Sequence, residues 1–223
     1  MSAIFDIRRR LAAEALGTAL LVAAVVGSGI MASSLTTDTG LALLANTIAT
    51  AGALVVLISI LGPISGAHFN PAVSLVMALR GDLTRRDLVA YVGAQFAGGV
   101  AGTWAAHLMF DHRLFEVSQK ARFGGGQWFS EAVAAFGLVL VILAGMHVAR
   151  GSIAWLVGVY ITAAYWFTAS TSFANPAVTV ARSLTDTFAG IRPTDAPALI
   201  AAQLVGALAA LAFCSWFLRE QSK

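Results

Sequence analysis

Two copies of one tripeptide are the residues whose types and spacing most clearly indicate chemistry. They are Asn70, Pro71 and Ala72 in one half of the chain, and Asn175, Pro176 and Ala177 in the other. Asn is a favoured N-cap residue and Pro suits the first helical position, so each copy predicts a helix start. The Asn side-chain oxygen accepts from first-turn N–H groups, which leaves its NH₂ group free to donate elsewhere.

The composition of the chain predicts a polytopic membrane protein. Of its 223 residues, 58% are apolar and 11% are charged, with a mean hydropathy of +0.81, whereas soluble domains carry about 25% charged residues. The net charge is only +3, and the basic residues lie between apolar runs, which excludes a nucleic-acid-binding stripe. The single cysteine, Cys214, excludes an intramolecular disulfide and a cysteine metal cluster. We expect no cofactor, and no cleaved signal peptide, because the apolar run after Arg10 is too long for one.

Six apolar segments are long enough, at about 20 residues, to cross a hydrocarbon core of roughly 30 Å. They are 11–34, 40–61, 88–110, 128–149, 152–170 and 196–218. Two shorter apolar pieces, 71–79 and 176–185, each follow one of the asparagines. A nine-residue helix is about 13 Å long, so two such pieces meeting end to end would together span the membrane. Neither piece spans it alone, so each must re-enter from one side, buried in protein or lining a cavity.

The two halves of the chain repeat each other. Glu14 aligns with Glu131, and Gln95 aligns with Gln203. In both halves the Asn-Pro-Ala tripeptide lies between the glutamate and the glutamine. Three spans per half is an odd number, so the second copy must be inserted upside down. The sequence therefore predicts an all-α membrane domain over 1–223, with inverted repeats at about 8–110 and 126–219.

The basic residues favour one orientation in the membrane. Nine fall on one side of a six-span arrangement: Arg8, Arg9, Arg10, Arg80, Arg85, Arg86, Arg150, Arg219 and Lys223. Five fall on the other: Arg113, Lys120, Arg122, Arg182 and Arg192. Because positive charge concentrates on the cytoplasmic side, we expect both termini in the cytoplasm and the protein in a plasma or bacterial inner membrane.

Taken together, these motifs resemble the aquaporin family of major intrinsic proteins. The resemblance extends over nearly the whole chain, through AAEALGT, SGAHFNPAVS, YVGAQFAGG, SEAVAAF and the second Asn-Pro-Ala. It implies an hourglass pore in each subunit, two half-helices meeting at its centre, a homotetramer in lipid, and small neutral permeants rather than an enzymatic reaction. Two helix N-termini facing each other place roughly half a positive charge each at mid-membrane, which opposes cations. Water there must turn its oxygen to both asparagines, and this breaks a proton relay.

The resemblance also assigns roles to residues around the two tripeptides. His68 matches the family's pore histidine, and backbone carbonyls should form a ladder of acceptors for the permeant along Gly66, Ala67 and His68 and along Thr171, Ser172 and Phe173. Glu14 and Glu131 match acids that hold the re-entrant loops by accepting backbone N–H groups, with a proton relay as the alternative. Gln95 and Gln203 are expected to be similar supports. His107, His112 and His147 lack a metal-ligand spacing.

The predicted selectivity filter departs from the family pattern. Counting from the two asparagines places its four positions at Thr50, Ala163, Ser172 and Val178, so the family's arginine is absent. Arg182 lies four residues after Val178, about 6 Å further along the helix axis. It either lines the outer vestibule or extends to the membrane interface.

Small, uncharged side chains at these positions predict a wide, weakly polar constriction. We expect passive permeation by small neutral solutes: water, glycerol-like polyols and undissociated metalloid acids such as arsenic species. A secondary transporter also uses inverted repeats and broken helices, but it needs a coupling-ion site. A membrane enzyme would need a nucleophile–base set or a metal cluster. A purely structural or adhesive role would leave the protein without any flux.

Overall fold

The computed structural model describes residues 5–219, and within that range the chain forms eight α-helices and one short 3₁₀ turn, Arg150–Ser152. In chain order the helices are α1 (Ile7–Leu35), α2 (Thr39–Ser65), α3 (Pro71–Arg80), α4 (Arg85–Met109), α5 (Gly125–Val148), α6 (Ile153–Phe167), α7 (Pro176–Arg182) and α8 (Ala196–Phe217). The predicted all-α class with six long and two short helices is confirmed. Lys223, which entered the charge count, lies outside the described residues.

The long helices present apolar side chains on their outer faces. Four of them, α1, α2, α5 and α8, are long and apolar enough to cross a membrane. Helix α4 has 25 residues, and α6 has 15, about 22 Å. Large apolar side chains such as Val89, Trp155 and Trp216 are exposed on these helices. Helices that are apolar on their outer faces as well as inside are expected when the surrounding solvent is lipid.

Local sequence signals account for where the helices begin. The side chain of Asp38 accepts from the backbone N–H groups of Gly40 and Leu41 at the start of α2. Thr84 caps α4 in the same way through the N–H of Asp87, at 3.0 Å. Both short helices start at a proline preceded by an asparagine cap. These caps satisfy N–H groups that have no partner within the first helical turn.

The two halves pack by the same contact. A Cβ atom on Gly98 of α4 would collide with the carbonyl oxygen of Ala15 in α1. The equivalent Gly206 of α8 lies in the same way against the carbonyl of Ala132 in α5. Only glycine permits backbones to approach so closely, and small residues at such crossings are typical of helix packing in lipid. The repeat inferred from the sequence therefore reappears as a pair of equivalent helix crossings.

Several helix ends differ from the sequence prediction by three or four residues; α1 begins earlier, at Ile7, and α2 ends later, at Ser65, whereas two helices end early. The fifth span was expected to reach residue 170, but α6 ends at Phe167, and Thr168 is extended. The second short helix was expected to continue to residue 185, but α7 ends at Arg182. There the chain turns back, because the carbonyl of Arg182 accepts from the N–H of Ile191 and that of Ser183 accepts from Ser118. These partners are distant in sequence, so local hydrophobicity does not reveal them.

Candidate functional site

The two asparagines lie at the meeting point of the short helices α3 and α7. Asn70 donates from Nδ2 to the carbonyl oxygen of Ala174 at 2.8 Å, and Asn175 donates from Nδ2 to the carbonyl of Phe69 at 2.8 Å. Each Oδ1 accepts the backbone N–H two residues further on, at 2.9 Å in the first copy and 3.0 Å in the second. Each asparagine therefore caps its own helix and also binds the other re-entrant loop. One hydrogen of each NH₂ group remains for a molecule beside them.

A fully buried carboxylate holds the first re-entrant loop. Oε1 of Glu14 accepts from the backbone N–H of His68 at 3.0 Å, and Oε2 accepts from that of Phe69 at 2.7 Å. Gln95 donates from Nε2 to Oε2 of Glu14 at 2.7 Å and to Oγ of Ser74 at 2.9 Å. A buried charge is costly unless it is hydrogen-bonded in this way. The loop is thereby fixed to α1 and α4.

The second loop is held by the same arrangement. Glu131, also fully buried, accepts from the N–H groups of Phe173 and Ala174, both at 2.8 Å. Gln203 donates from Nε2 to Glu131 at 2.6 Å and to Oγ1 of Thr179 at 2.9 Å. These residues occupy the positions equivalent to those of the first loop. The donors to Glu131 are all backbone N–H or side-chain amide groups, which is the geometry of a scaffold.

Both loops use left-handed backbone conformations at equivalent positions. The φ values in the first loop are 92° at Gly66, 49° at Ala67 and 48° at Phe69, and in the second they are 61° at Thr171, 52° at Ser172 and 47° at Ala174. Such conformations cost about 1–2 kcal/mol for each non-glycine residue. They persist because the buried glutamates fix the neighbouring N–H groups. Strain held in this way typically accompanies a functional site.

A cavity of about 810 Å³ runs past both asparagines. At one end it is lined by Arg10, Asp82 and Arg150, and towards the other by Thr50, Val178 and Arg182. The walls between are mainly apolar, with side chains that include Leu21, Val25, Leu54, Ile58, Leu138, Ile142, Val157 and Ile161. The cavity also touches Gly66, Ala67, His68, Ser172 and Phe173. The cavity is therefore apolar along its helices and polar where the two re-entrant loops border it. Such a passage suits small solutes that lose few hydrogen bonds on entry.

Comparison with known proteins agrees with this architecture. The family model described as major intrinsic protein matches residues 2–152. Aquaglyceroporin AqpS of Rhizobium meliloti (strain 1021) is 66% identical over 215 residues, which cover 96% of this chain and 92% of the relative. The chain belongs to the major intrinsic protein family. Aquaporin Z of Brucella melitensis biotype 1 is 38% identical over 92 residues, covering 41% of this chain and 40% of the relative.

A solved structure shows the same fold. The X-ray structure of the aquaglyceroporin from Plasmodium falciparum superposes with a TM-score of 0.71, at 20% sequence identity, over 96% of this chain and 97% of that one. At that identity the likeness concerns the arrangement of helices.

Three of the four predicted filter residues face the cavity, and one does not. Thr50, Ser172 and Val178 line it, but Ala163 is exposed on the outer face of α6 and is not among the lining residues. Placing Ala163 in the filter was therefore wrong. Tyr165 of the same helix lines the cavity, and its hydroxyl donates to Oγ1 of Thr50 at 3.2 Å. Residues 168–175 between α6 and Asn175 are not helical, so counting back from the asparagine does not fix which face of α6 points inward.

The remaining predicted pore residues divide between the cavity and its surroundings. His68 lines the cavity, and its Nδ1 lies 3.0 Å from Oγ of Ser74. Thr171 does not line it. Its Oγ1 instead lies 3.5 Å from Nη1 of Arg122, on the side of the connection between the two halves. The roles of these residues in permeation remain predictions.

Arg182 is buried beside the cavity. Only 2% of its surface is exposed, and its Cζ lies 3.4 Å from the ring centroid of Phe173. Its Nε donates to the carbonyl oxygen of Ala189. Of the two placements considered from the sequence, the structure has the side chain facing the cavity rather than the membrane interface.

Sequence reasoning missed two residues that hold the loops. Tyr91 donates to the carbonyl of Ser65 at 2.8 Å, just before the first loop. Arg122 donates from Nη1 to the carbonyl of Ser170 at 3.1 Å, at the equivalent point before the second. Ser65 and Ser170 occupy matching positions in the repeat, but their partners differ. One is a tyrosine in α4, and the other is an arginine in the connection between α4 and α5. No local pattern in the sequence marks Arg122, because it lies in an irregular connection.

Proposed function

We propose that this protein is a passive transmembrane channel for small neutral solutes, formed as one domain from two inverted halves and assembled as a homotetramer. The observation that supports it best is the cavity that passes both cap asparagines, whose free N–H groups border it. Two helix N-termini meet there and create a positive potential at mid-cavity. A neutral solute crosses this point at little cost, whereas a cation is repelled while it loses hydration.

For the permeants, we propose water together with glycerol-like polyols and undissociated metalloid acids. The support is Val178, which stands where the family has an arginine and leaves an uncharged, shorter side chain lining the cavity. Tyr165 makes this region less uniformly small than the sequence predicted, but its hydroxyl is held by Thr50. The 66% identical relative carries the name aquaglyceroporin, which agrees with a glycerol-sized opening.

A solute panel in proteoliposomes tests the proposed permeants. Swelling rates are measured by stopped-flow light scattering for water, glycerol and a neutral metalloid hydroxide, with empty liposomes as the baseline. We expect the wild type to admit all three. The variant Val178→Arg should lower glycerol flux about tenfold, equivalent to about 1.4 kcal/mol, and water flux by less. Val178→Ala is the matched control and should leave glycerol flux at least as high. Water permeation with exclusion of glycerol would overturn the proposed width.

The same preparation separates a channel from its rivals. A channel gives flux that is linear in solute concentration and independent of ion gradients, whereas a secondary transporter saturates and responds to its coupling ion. Absence of any solute flux would favour a structural role. We also propose that both termini face the cytoplasm, as the basic residues indicate. A cysteine placed at Ser2 should then be protected from an impermeant thiol reagent in whole cells and labelled after lysis.

A further inference from the structure

We infer that Arg182, stacked on Phe173 and positioned together with Arg122, forms the charge barrier of this channel one helical turn away from Val178. The inference rests on the proposed channel function and names the residues that exclude cations in it. Two functions are thereby assigned to different residues. Solute size is selected by the cavity-lining residues Thr50, Tyr165, Ser172 and Val178, and charge is selected by Arg182.

The first support is the state of the Arg182 side chain. It is 98% buried, it lines the cavity, and one of its nitrogens is bonded to the carbonyl of Ala189. Its terminal nitrogens Nη1 and Nη2 have no hydrogen-bond acceptor among residues 5–219. Among residues 5–219, these nitrogens do not count with the buried atoms that lack a partner, so their four N–H donors are open to the cavity and available to what passes through it. Water, polyol hydroxyls and the oxygens of a neutral acid all accept such bonds.

The second support is how firmly the guanidinium is placed. Its Cζ lies 3.4 Å from the ring centroid of Phe173, which is within contact distance for stacking of a guanidinium on an aromatic ring. Phe173 in turn donates its backbone N–H to Glu131 at 2.8 Å, so the ring stands on a fixed loop. The carbonyl of Ala189 fixes the other side of Arg182. The charge therefore cannot swing away into a lipid-facing position without breaking both contacts.

Arg122 is the third support, as a positioning residue. Its Cζ lies 4.9 Å from the centroid of the same Phe173 ring. Its Nε donates to the carbonyl of Gly190 at 3.0 Å, next to the carbonyl that Arg182 uses. Two guanidiniums are thus arranged over one ring and fixed to one segment, 189–190. A buried arginine stays protonated, so both charges persist over the working pH range.

The local charge is not neutralised by ion pairs. Among residues 5–219, neither Arg122 nor Arg182 has a side-chain carboxylate within salt-bridge distance. At the end of the cavity that Arg182 lines, the charges of Arg122 and Arg182 therefore face one nearby carboxylate, that of Glu131, which lies beyond ion-pair distance, and the local field is positive. Such a field acts strongly in a passage with low-dielectric walls, and it repels cations while leaving neutral solutes unaffected.

The test is the ratio of cation leak to glycerol flux in proteoliposomes. K⁺ and H⁺ leaks are followed with a potential-sensitive dye and an internal pH dye, and glycerol flux by swelling. For Arg182→Gln, which keeps donors but removes the charge, we expect the leak-to-glycerol ratio to rise at least tenfold. Arg182→Lys keeps the charge and should stay within about threefold of wild type. Arg122→Gln should raise the ratio less, and Arg122→Lys should restore it.

One control variant and the wild-type flux make the outcomes distinct. Arg113→Gln removes an exposed arginine from the same connection, away from Phe173, and should leave the ratio unchanged. Equal leak ratios for Arg182→Gln and Arg182→Lys would overturn the inference, even if both conduct glycerol normally. If wild-type liposomes conduct no neutral solute at all, the proposed function fails instead. A variant that loses all flux is judged by whether its lysine counterpart recovers both glycerol flux and cation exclusion.

Discussion

The two re-entrant loops share their hydrogen bonds to a buried glutamate but differ in what else holds them. The first loop is backed by Tyr91, which binds the carbonyl of Ser65 and is itself bound by Arg10 at 2.8 Å. The second is backed by the connection between the halves, through Arg122 at the carbonyl of Ser170. The first loop thus depends on the helix bundle, and the second depends on an irregular segment as well.

The loops also differ in charge balance. Near the first loop, Arg10 forms an ion pair with Asp87 at 3.0 Å, so its charge is matched. Near the second loop, Arg122 and Arg182 have no such carboxylate partner within the described part of the chain. The arginine beside the first loop is therefore paired, whereas the two beside the second loop, at the end of the cavity that we call the positive mouth, are not. The inverted repeat preserves the geometry of the backbone and leaves the flanking side chains free to differ.

The largest expected effect comes from removing the buried carboxylates. Glu14 accepts four hydrogen bonds, from Ser65, His68, Phe69 and Gln95. Glu→Gln substitution turns one acceptor oxygen into a donor facing other donors. Hydrogen bonds to charged groups contribute about 1.5–3 kcal/mol each, so we expect Glu14→Gln to destabilise the protein by about 3 kcal/mol. Thermal unfolding in detergent, followed by tryptophan fluorescence, measures it.

The comparison is sharpened by the equivalent change in the second loop. Glu131 accepts three bonds, and its loop has further ties to Gln127 and Ser130 through the backbone of Ala169. Glu131→Gln should therefore cost less, about 2 kcal/mol. Asp111→Asn, at an exposed acid outside both loops whose carboxylate makes no hydrogen bond or ion pair among residues 5–219, serves as the control. A larger loss at Glu131 than at Glu14 would refute the idea that these additional bonds support the second loop.

The sequence predicts the parts of this site that are local or repeated. The asparagine caps, the short helices and the matched glutamates follow from residue types and their spacing, because capping and internal repetition are visible in the chain itself. The sequence mispredicted which face of α6 points inward, at Ala163. Positions on α6 were counted back from Asn175, and the residues between them are not helical, so the count does not preserve the helical face. Arg122 was missed because its contacts with Ser170 and Gly190 bridge large sequence separations from an irregular segment.

The second prediction concerns a contact that only the first half makes. A Cβ on Gly102 would collide with the carbonyl of Ala19, whereas the equivalent position in the second half is Ala210. Gly102→Ala should cost about 1–3 kcal/mol by overpacking the crossing of α1 and α4. Gly93→Ala on the same helix meets nothing within 4 Å and is the matched control. It should be neutral or stabilise by up to about 1 kcal/mol through helix propensity. Comparable unfolding midpoints for the two variants would contradict the close approach.

The third prediction exchanges the residues that start the two strained loops. Gly66 has φ of 92° and the equivalent Thr171 has φ of 61°. A β-branched residue is strained there, so Gly66→Thr should cost about 1–2 kcal/mol. Its Cβ would also lie 3.0 Å from Nε2 of His68. Thr171→Gly relieves strain but gains unfolded-state entropy, so we expect a net change within about 1 kcal/mol. Thermal unfolding checks both, and a Gly66→Thr protein as stable as wild type would show that the first loop tolerates the conformation without glycine.

The smallest expected effect is a pH dependence confined to the positive mouth. Partial desolvation of the amine, reinforced by Arg122 and then Arg182, lowers the pKa of the partly exposed Lys120 from 10.5 to about 8. The folded protein therefore binds fewer protons than the unfolded chain between about pH 8 and 10.5, so this lysine makes stability rise with pH across that window. Deprotonation also removes one positive charge, and the K⁺ leak should increase by less than about threefold between pH 7 and 9. Lys120→Met should abolish both trends, while a pH dependence that survives in this variant would place the titrating group elsewhere. Because Arg10 is paired with Asp87, the end of the cavity that Arg10 lines should contribute no change in stability or K⁺ leak between pH 7 and 9.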